Sequence, residues 1–196
     1  MATEVAAGAR TGRRVPRWAI DVAQTMALTL VIFIVIQTFI AQPFEVEQHS
    51  MERTFVEGQY VLVDRLSHLW SPYAPGQVIV FRAPEGSSRP EPLIKRVIAT
   101  GGQTVDIRDG NVYVDGTQLD EPYLFQGDDG AAEPTDAATT HWVVPEGDLF
   151  VMGDHRQVSS DSRAFGPIPV SSVIGRAVLR YWPISALSLI QTPSEP

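Results

Sequence analysis

Of the 15 Lys and Arg side chains in this sequence, 14 are arginine and one, at position 95, is lysine. Arginine stays protonated in essentially any protein environment, whereas a buried lysine can lose its proton near neutral pH and act as a base. On count alone, a solvated surface lysine is the plainer explanation. The surrounding pattern, Pro92-Leu93-Ile94-Lys95-Arg96-Val97-Ile98, reads as a strand. Lys95 then shares one face with Leu93 and Val97, while Arg96 shares the other with Ile94 and Ile98. Apolar neighbours on the lysine's face disfavour the ammonium form, which is what a general base at neutral pH requires. A lysine snorkelling from a half-exposed strand gives the same pattern.

A base needs a nucleophile to serve. Ser50, in Val46-Glu47-Gln48-His49-Ser50-Met51, is a candidate, since a serine hydroxyl becomes reactive only with a base in hydrogen-bond reach. His49 adjoins it, but neighbours on an extended strand point to opposite faces. The remaining histidines, His68, His141 and His155, show no companion acid at triad-like spacing, and no H-x-x-x-H metal pattern is present. The sequence holds no cysteine, which excludes thiol chemistry and Cys-ligated zinc. No metal and no cofactor is therefore expected. One further run, Val151-Met152-Gly153-Asp154-His155 through Ser159, Asp161, Ser162, Arg163 and Gly166, is dense in small polar and charged groups. It reads as a solvated turn, or, carried inward by the apolar strand before it, as a place where Asp161 and Arg163 pair in support of a catalytic centre.

These residues must be held by something. From Val22 to Phe44 there is no charged residue, a length sufficient for a membrane-spanning helix. Arg10, Arg13, Arg14 and Arg17 precede it, and before Trp18 only Glu4 opposes them. Basic flanks stay in the cytoplasm, so residues 1–17 are expected as a cytoplasmic tail, 18–41 as a single span, and 42–196 as an extracytoplasmic domain. A cleavable signal peptide fits less well, because Phe39 occupies a position that wants a small residue and Pro43 follows closely. A buried soluble helix would carry a polar stripe that Leu30 to Ile36 lacks.

Beyond the anchor the sequence reads as mainly β. Residues 60–63, 78–81, 94–99, 104–108, 111–114, 149–152 and 172–181 are short β-branched runs bounded by Gly, Pro or polar clusters. Asp109-Gly110 between two of them is a hairpin signal, because that pair tolerates the positive φ of a tight turn. Without amphipathic helices between strands, an antiparallel β body with irregular insertions is expected. Gln126 to Thr140, acidic and small, is expected to be a mobile loop. A net charge of −8 argues against a nucleic-acid partner, which needs a basic face.

Taken in order, Ser50-Met51, Gly76-Gln77-Val78-Ile79-Val80-Phe81, Ile94-Lys95-Arg96-Val97-Ile98, and Gly153-Asp154-His155-Arg156 through Ser159, Asp161, Ser162, Arg163 and Gly166 resemble the successive boxes of bacterial type I signal peptidases. The resemblance runs from the anchor to about Pro183. It implies a signal-peptidase-like antiparallel β fold and a serine endopeptidase that cuts secretory preproteins after Ala-x-Ala-type sites at the surface of the lipid bilayer. Ser50 would be the nucleophile and Lys95 the general base, with Ser159 positioning the lysine amine and Asp161 and Arg163 bracing that region. The substrate would lie extended against residues 44–48 and 92–94, with Phe44, Val46, Met51 and Leu93 as binding residues.

The sequence departs from the family pattern at Gln48, where many members carry Ser or Thr as a second oxyanion donor. His155 stands for a usual Asn, and Arg53-Thr54-Phe55 for a usual Pro-Thr-Leu. Two other readings remain. A self-cleaving repressor with Ser/Lys chemistry would need a DNA-binding domain and cytoplasmic exposure, and an inactive relative would bind exported peptides without general cleavage.

Overall fold

The structure, a computed structural model, describes residues 16–35, 37, 41–85 and 91–192. Most of the tail expected at 1–17 lies outside them. The chain forms two compact units, residues 1–38 and residues 39–196.

In the first unit, helix α1 spans Arg17–Val35. None of its residues is buried and its mean hydropathy is 1.9, so by length and composition it can cross a membrane. Of the span expected at 18–41, Ala41 instead opens a strand, and residues 36 and 38–40 lie outside those described.

The second unit is built from two antiparallel sheets. The strands are β1 (Ala41–Glu45), β2 (Tyr60–Asp64), β3 (Val78–Phe81), β4 (Leu93–Thr100), β5 (Thr104–Arg108), β6 (Asn111–Val114), β7 (Thr117–Gln118), β8 (His141–Val143), β9 (Asp148–Met152), β10 (Ile168–Pro169), β11 (Val173–Trp182) and β12 (Ser188–Leu189). The larger sheet runs β1-β2-β11-β3-β4-β9-β10, with β12 added to β11, and the smaller runs β7-β6-β5-β8. A short helix α2 (Ser162–Phe165) follows β9. The seven runs read as strands from the sequence are all strands. Asp109 and Gly110 have φ of 49° and 77°, as the β5–β6 hairpin turn requires.

β4 is central, paired to β3 through Ile79↔Lys95 and Val78↔Arg96, and to β9 through Arg96↔Met152 and Val97↔Val151. Its residues are buried from Leu93 to Ala99. Three apolar clusters surround it: one with Val46, Met51, Phe55 and Ile94, one with Leu93, Val97 and Val151, and one with Ile98, Phe150 and Met152. A strand covered on both faces forces every polar side chain on it into the interior, and Lys95 and Arg96 are the two it carries there.

The segment expected as a mobile loop, 126–140, is tied at several points. Gln126 bridges Ala132, the Glu133 amide donates to Phe125 O, and the Thr135 amide donates to Gly110 O. Thr135 is buried, and its hydroxyl accepts from Arg156.

Candidate active site

Ser50 sits in a single 3-10 turn, His49–Met51, directly after β1. The turn is closed by the Glu52 amide donating to His49 O, and anchored by the Phe55 amide donating to Met51 O. Met51 drops into the core below, and the His155 amide donates to Ser50 O at 3.1 Å. The hydroxyl of Ser50 is thus fixed from both sides of the chain.

Lys95 Nζ lies 2.6 Å from Ser50 Oγ and donates to Ile94 O at 3.0 Å. Lys95 is 1% exposed and Ser50 3%. No carboxylate forms an ion pair with this amine among the described residues. Burial therefore lowers its pKa from the ordinary 10.5 to about 8; Asp161 and Asp154 pull the other way from a distance, and Arg163 adds to the lowering. An amine lowered this far is partly neutral near pH 8, and in its neutral form it can take up the proton of a hydroxyl it touches.

The run after β9 folds inward, as the apolar strand before it suggested. Gly153 lets the backbone pass close to the pair: a Cβ there would stand 2.5 Å from Ser50 O and 2.3 Å from Ser159 Oγ. Asp161 caps α2 and receives the Gly153 amide at 3.0 Å. Arg163 grips Asp161 through Nε (2.9 Å) and also reaches Arg156 O at 2.7 Å. Burial works against ionisation of Asp161, but the bonds from Arg163 and the Gly153 amide outweigh it and hold the carboxyl below the usual range. Asp161 and Arg163 do form the pair expected of them. The Ser159 hydroxyl is buried beside Gly153 and makes no well-aligned hydrogen bond; its influence falls on Asp161, and it makes no bond to Lys95.

A cavity of about 220 Å³ is lined by Phe44, Val46, Gln48, Pro92 and Ile94 among others, joining the 44–48 and 92–94 segments. Gln48 has extended backbone (φ −127°, ψ 146°), and its side chain makes no capping bond. Met51 and Leu93 do not line this cavity: Met51 is fully buried among Val46 and Phe55, and Leu93 lies on the opposite face of β4 among Ile79 and Val97. Alternation along the strand puts Ile94 rather than Leu93 on the cavity side.

Sequence reasoning missed the buried ion pair next door. Arg96 donates to Asp154 through Nε (2.8 Å) and Nη2 (2.7 Å), to Gly76 O at 2.7 Å, and its guanidinium lies 3.9 Å over the Tyr123 ring. Thr54 closes the network by donating to Asp154. A second such pair, Arg156 with Glu121 and Thr135, ties the 153–158 turn to the 121–135 stretch. For Arg96 the only sequence signal was its place inside an apolar run, and for Arg156, in a polar run, there was none. His155, stacked on Phe125, places its two ring nitrogens 2.8 Å from Glu52 and 3.1 Å from Glu133.

The antiparallel β body thus brings a buried serine hydroxyl and a buried lysine amine into contact. The profile of the signal peptidase, peptidase S26, family matches residues 19–182. The probable signal peptidase I-1 of Synechocystis sp. is 36% identical over 165 residues, covering 82% of this chain and 81% of that protein. Signal peptidase IB of Staphylococcus aureus is 33% identical over 172 residues, covering 82% and 88%. A solved signal peptidase I from Enterococcus faecalis V583 is 31% identical, with a TM-score of 0.44, and covers 54% of this chain and 97% of that one. The chain belongs to the signal peptidase family, peptidase S26, and is an enzyme of that serine endopeptidase class.

Proposed function

We propose that this protein is a membrane-anchored signal peptidase in which Ser50 is the nucleophile and Lys95 its general base, and that it removes signal peptides from exported preproteins. The observation that carries the reading is the 2.6 Å contact between the Lys95 amine and the Ser50 hydroxyl, with burial lowering the amine's pKa to about 8. The Lys95 bond to Ile94 O supports it by holding the amine nitrogen within reach of the Ser50 hydroxyl.

In this reading the neutral amine takes the Ser50 proton as Oγ attacks the scissile carbonyl, and the ammonium returns it to the departing amine. Water then enters, activated by the same amine, and releases the acyl group from Ser50. The Ser50 backbone amide supplies one oxyanion donor and the Gln48 side chain the second. The extended substrate lies in the cavity between 44–48 and 92–94, where Phe44, Val46 and Ile94 offer apolar contact to small side chains such as alanine. α1 is the anchor, with the arginines before it on the cytoplasmic side and the β body outside.

The deciding experiment is cleavage of a secretory precursor by the full chain in detergent, beside Ser50→Ala and Lys95→Met. Product from the unaltered chain and none from either variant supports the proposal. Equal cleavage by Lys95→Met removes the dyad, and no cleavage by any of the three leaves the peptide-binding relative as the answer.

A further inference from the structure

A second cavity, of about 330 Å³, lies away from the groove described above. It is lined by Thr54, Phe55, Arg96, Pro122, Tyr123, Arg180 and the run Ser188 to Gln191. The protein carries 23 Asp and Glu against 15 Lys and Arg, yet this lining contains two arginines and no acid. Arg96 is neutralised by Asp154. Arg180 is different: its bonds go to Ala186 O (2.7 Å), Thr54 O (2.9 Å), Gln59 Oε1 (3.3 Å) and Ser188 Oγ (2.9 Å), all neutral oxygens. It has no carboxylate partner among the described residues.

We infer that this cavity is a binding site for a phosphate ester. Ser188 Oγ accepts from Arg180, so its own proton is free to donate. Gln191, also in the lining, carries an amide that can donate as well. A tetrahedral phosphate offers oxygens to all three, where a carboxylate has only two. The remaining wall, Phe55, Leu189 and Ile190, is apolar and suits the carbon body of an ester. Leu189 is 74% exposed, so an apolar extension of the ligand could continue outward over it. The phosphate comes either from a soluble ester or from a lipid headgroup, and the recognition chemistry is the same.

The test is calorimetric titration of the full chain in detergent with glycerol 3-phosphate, and it does not depend on the roles assigned to Ser50 and Lys95. Saturable binding is expected, weakened at least about tenfold in Arg180→Gln and in Gln191→Glu. Gln191 is exposed and its exchange leaves the fold intact, which covers the case in which Arg180→Gln releases the 186–188 segment. Displacement of glycerol 3-phosphate by phosphatidylglycerol vesicles, but not by phosphatidylcholine vesicles, assigns the site to a lipid headgroup. Lack of displacement by either assigns it to a soluble ester. No saturable binding at millimolar ligand, or binding unchanged in both variants, overturns the inference.

Discussion

Lys95 and Arg96 are consecutive on β4, buried to 1% and 2%, and treated in opposite ways. Arg96 meets a carboxylate in a two-point grip, a carbonyl, a hydroxyl and an aromatic face. Lys95 meets a serine hydroxyl and a single carbonyl. Burying a charge is costly unless it is paired. The fold supplies Arg96 with a carboxylate partner and Lys95 with none, and burial lowers the Lys95 pKa to about 8. Strand alternation makes the contrast possible, sending adjacent residues to opposite faces within one element. The braced cation ties the strand to its neighbours, while the unbraced one is left free for the role of base proposed above.

The sharpest way to break the contrast is to make the two residues alike. Lys95→Arg keeps a positive charge but cannot be a base, so it should be as damaging as Lys95→Met, each lowering kcat by about 10³-fold or more. Single-turnover cleavage of a precursor reads this directly, and wild-type turnover in Lys95→Arg would mean that proton transfer runs elsewhere. The complementary change removes the partner that Arg96 has. Asp154→Ala leaves a fully buried guanidinium uncompensated and should cost about 3–5 kcal/mol in urea unfolding. A loss under about 1 kcal/mol would show that water or another acceptor reaches Arg96 without difficulty.

Gly153 connects the two sides, since it precedes Asp154 and passes beneath Ser50. The methyl group of Gly153→Ala would collide with Ser50 O, a backbone atom that cannot swing aside, as well as with Ser159. A cost of roughly 1–3 kcal/mol is expected from overpacking, with a larger proportional loss of turnover because displacement of the nucleophile is penalised steeply. Activity lost in step with folded fraction, and no further, would reduce Gly153 to a packing residue.

How much of this was readable beforehand follows from range along the chain. β-branched runs and Asp109-Gly110 are local signals, and the strands and hairpin they marked are present. A lone lysine in an apolar run pointed to Lys95, and the family boxes pointed to Ser50, Asp161 and Arg163. β1 was hidden because Ala41-Gln42-Pro43 continues the apolar stretch of the helix and carries no alternation. The Arg96–Asp154 and Arg156–Glu121 pairs join residues 58 and 35 positions apart, and no spacing rule selects one acid among 23 for a given arginine. Leu93 and Ile94 show the finer limit: the strand was legible, but the face turned to the cavity depends on what the fold lays against it.

The pH dependence sharpens the comparison most finely, because burial brings the titration of Lys95 down to about 8. In the proposed mechanism Lys95 acts in its neutral form, so turnover should rise with pH through about 8 and fall on the acid side as the amine is protonated. Folding carries the matching signature. The folded-state pKa lies below the unfolded one, so between about 8 and 10.5 the unfolded chain holds the extra proton and stability rises with pH. Below that window the amine is protonated in both states and the cost of burying it is felt in full. Lys95→Met should therefore be more stable than the unaltered chain at neutral pH, by on the order of 1–3 kcal/mol, and the advantage should shrink toward pH 10. Arg96→Met should show no such gain at any pH, since it strands Asp154 instead. Urea unfolding of both variants across that range is the measurement, and a Lys95→Met advantage that does not shrink with pH would place its origin in packing and not in the amine.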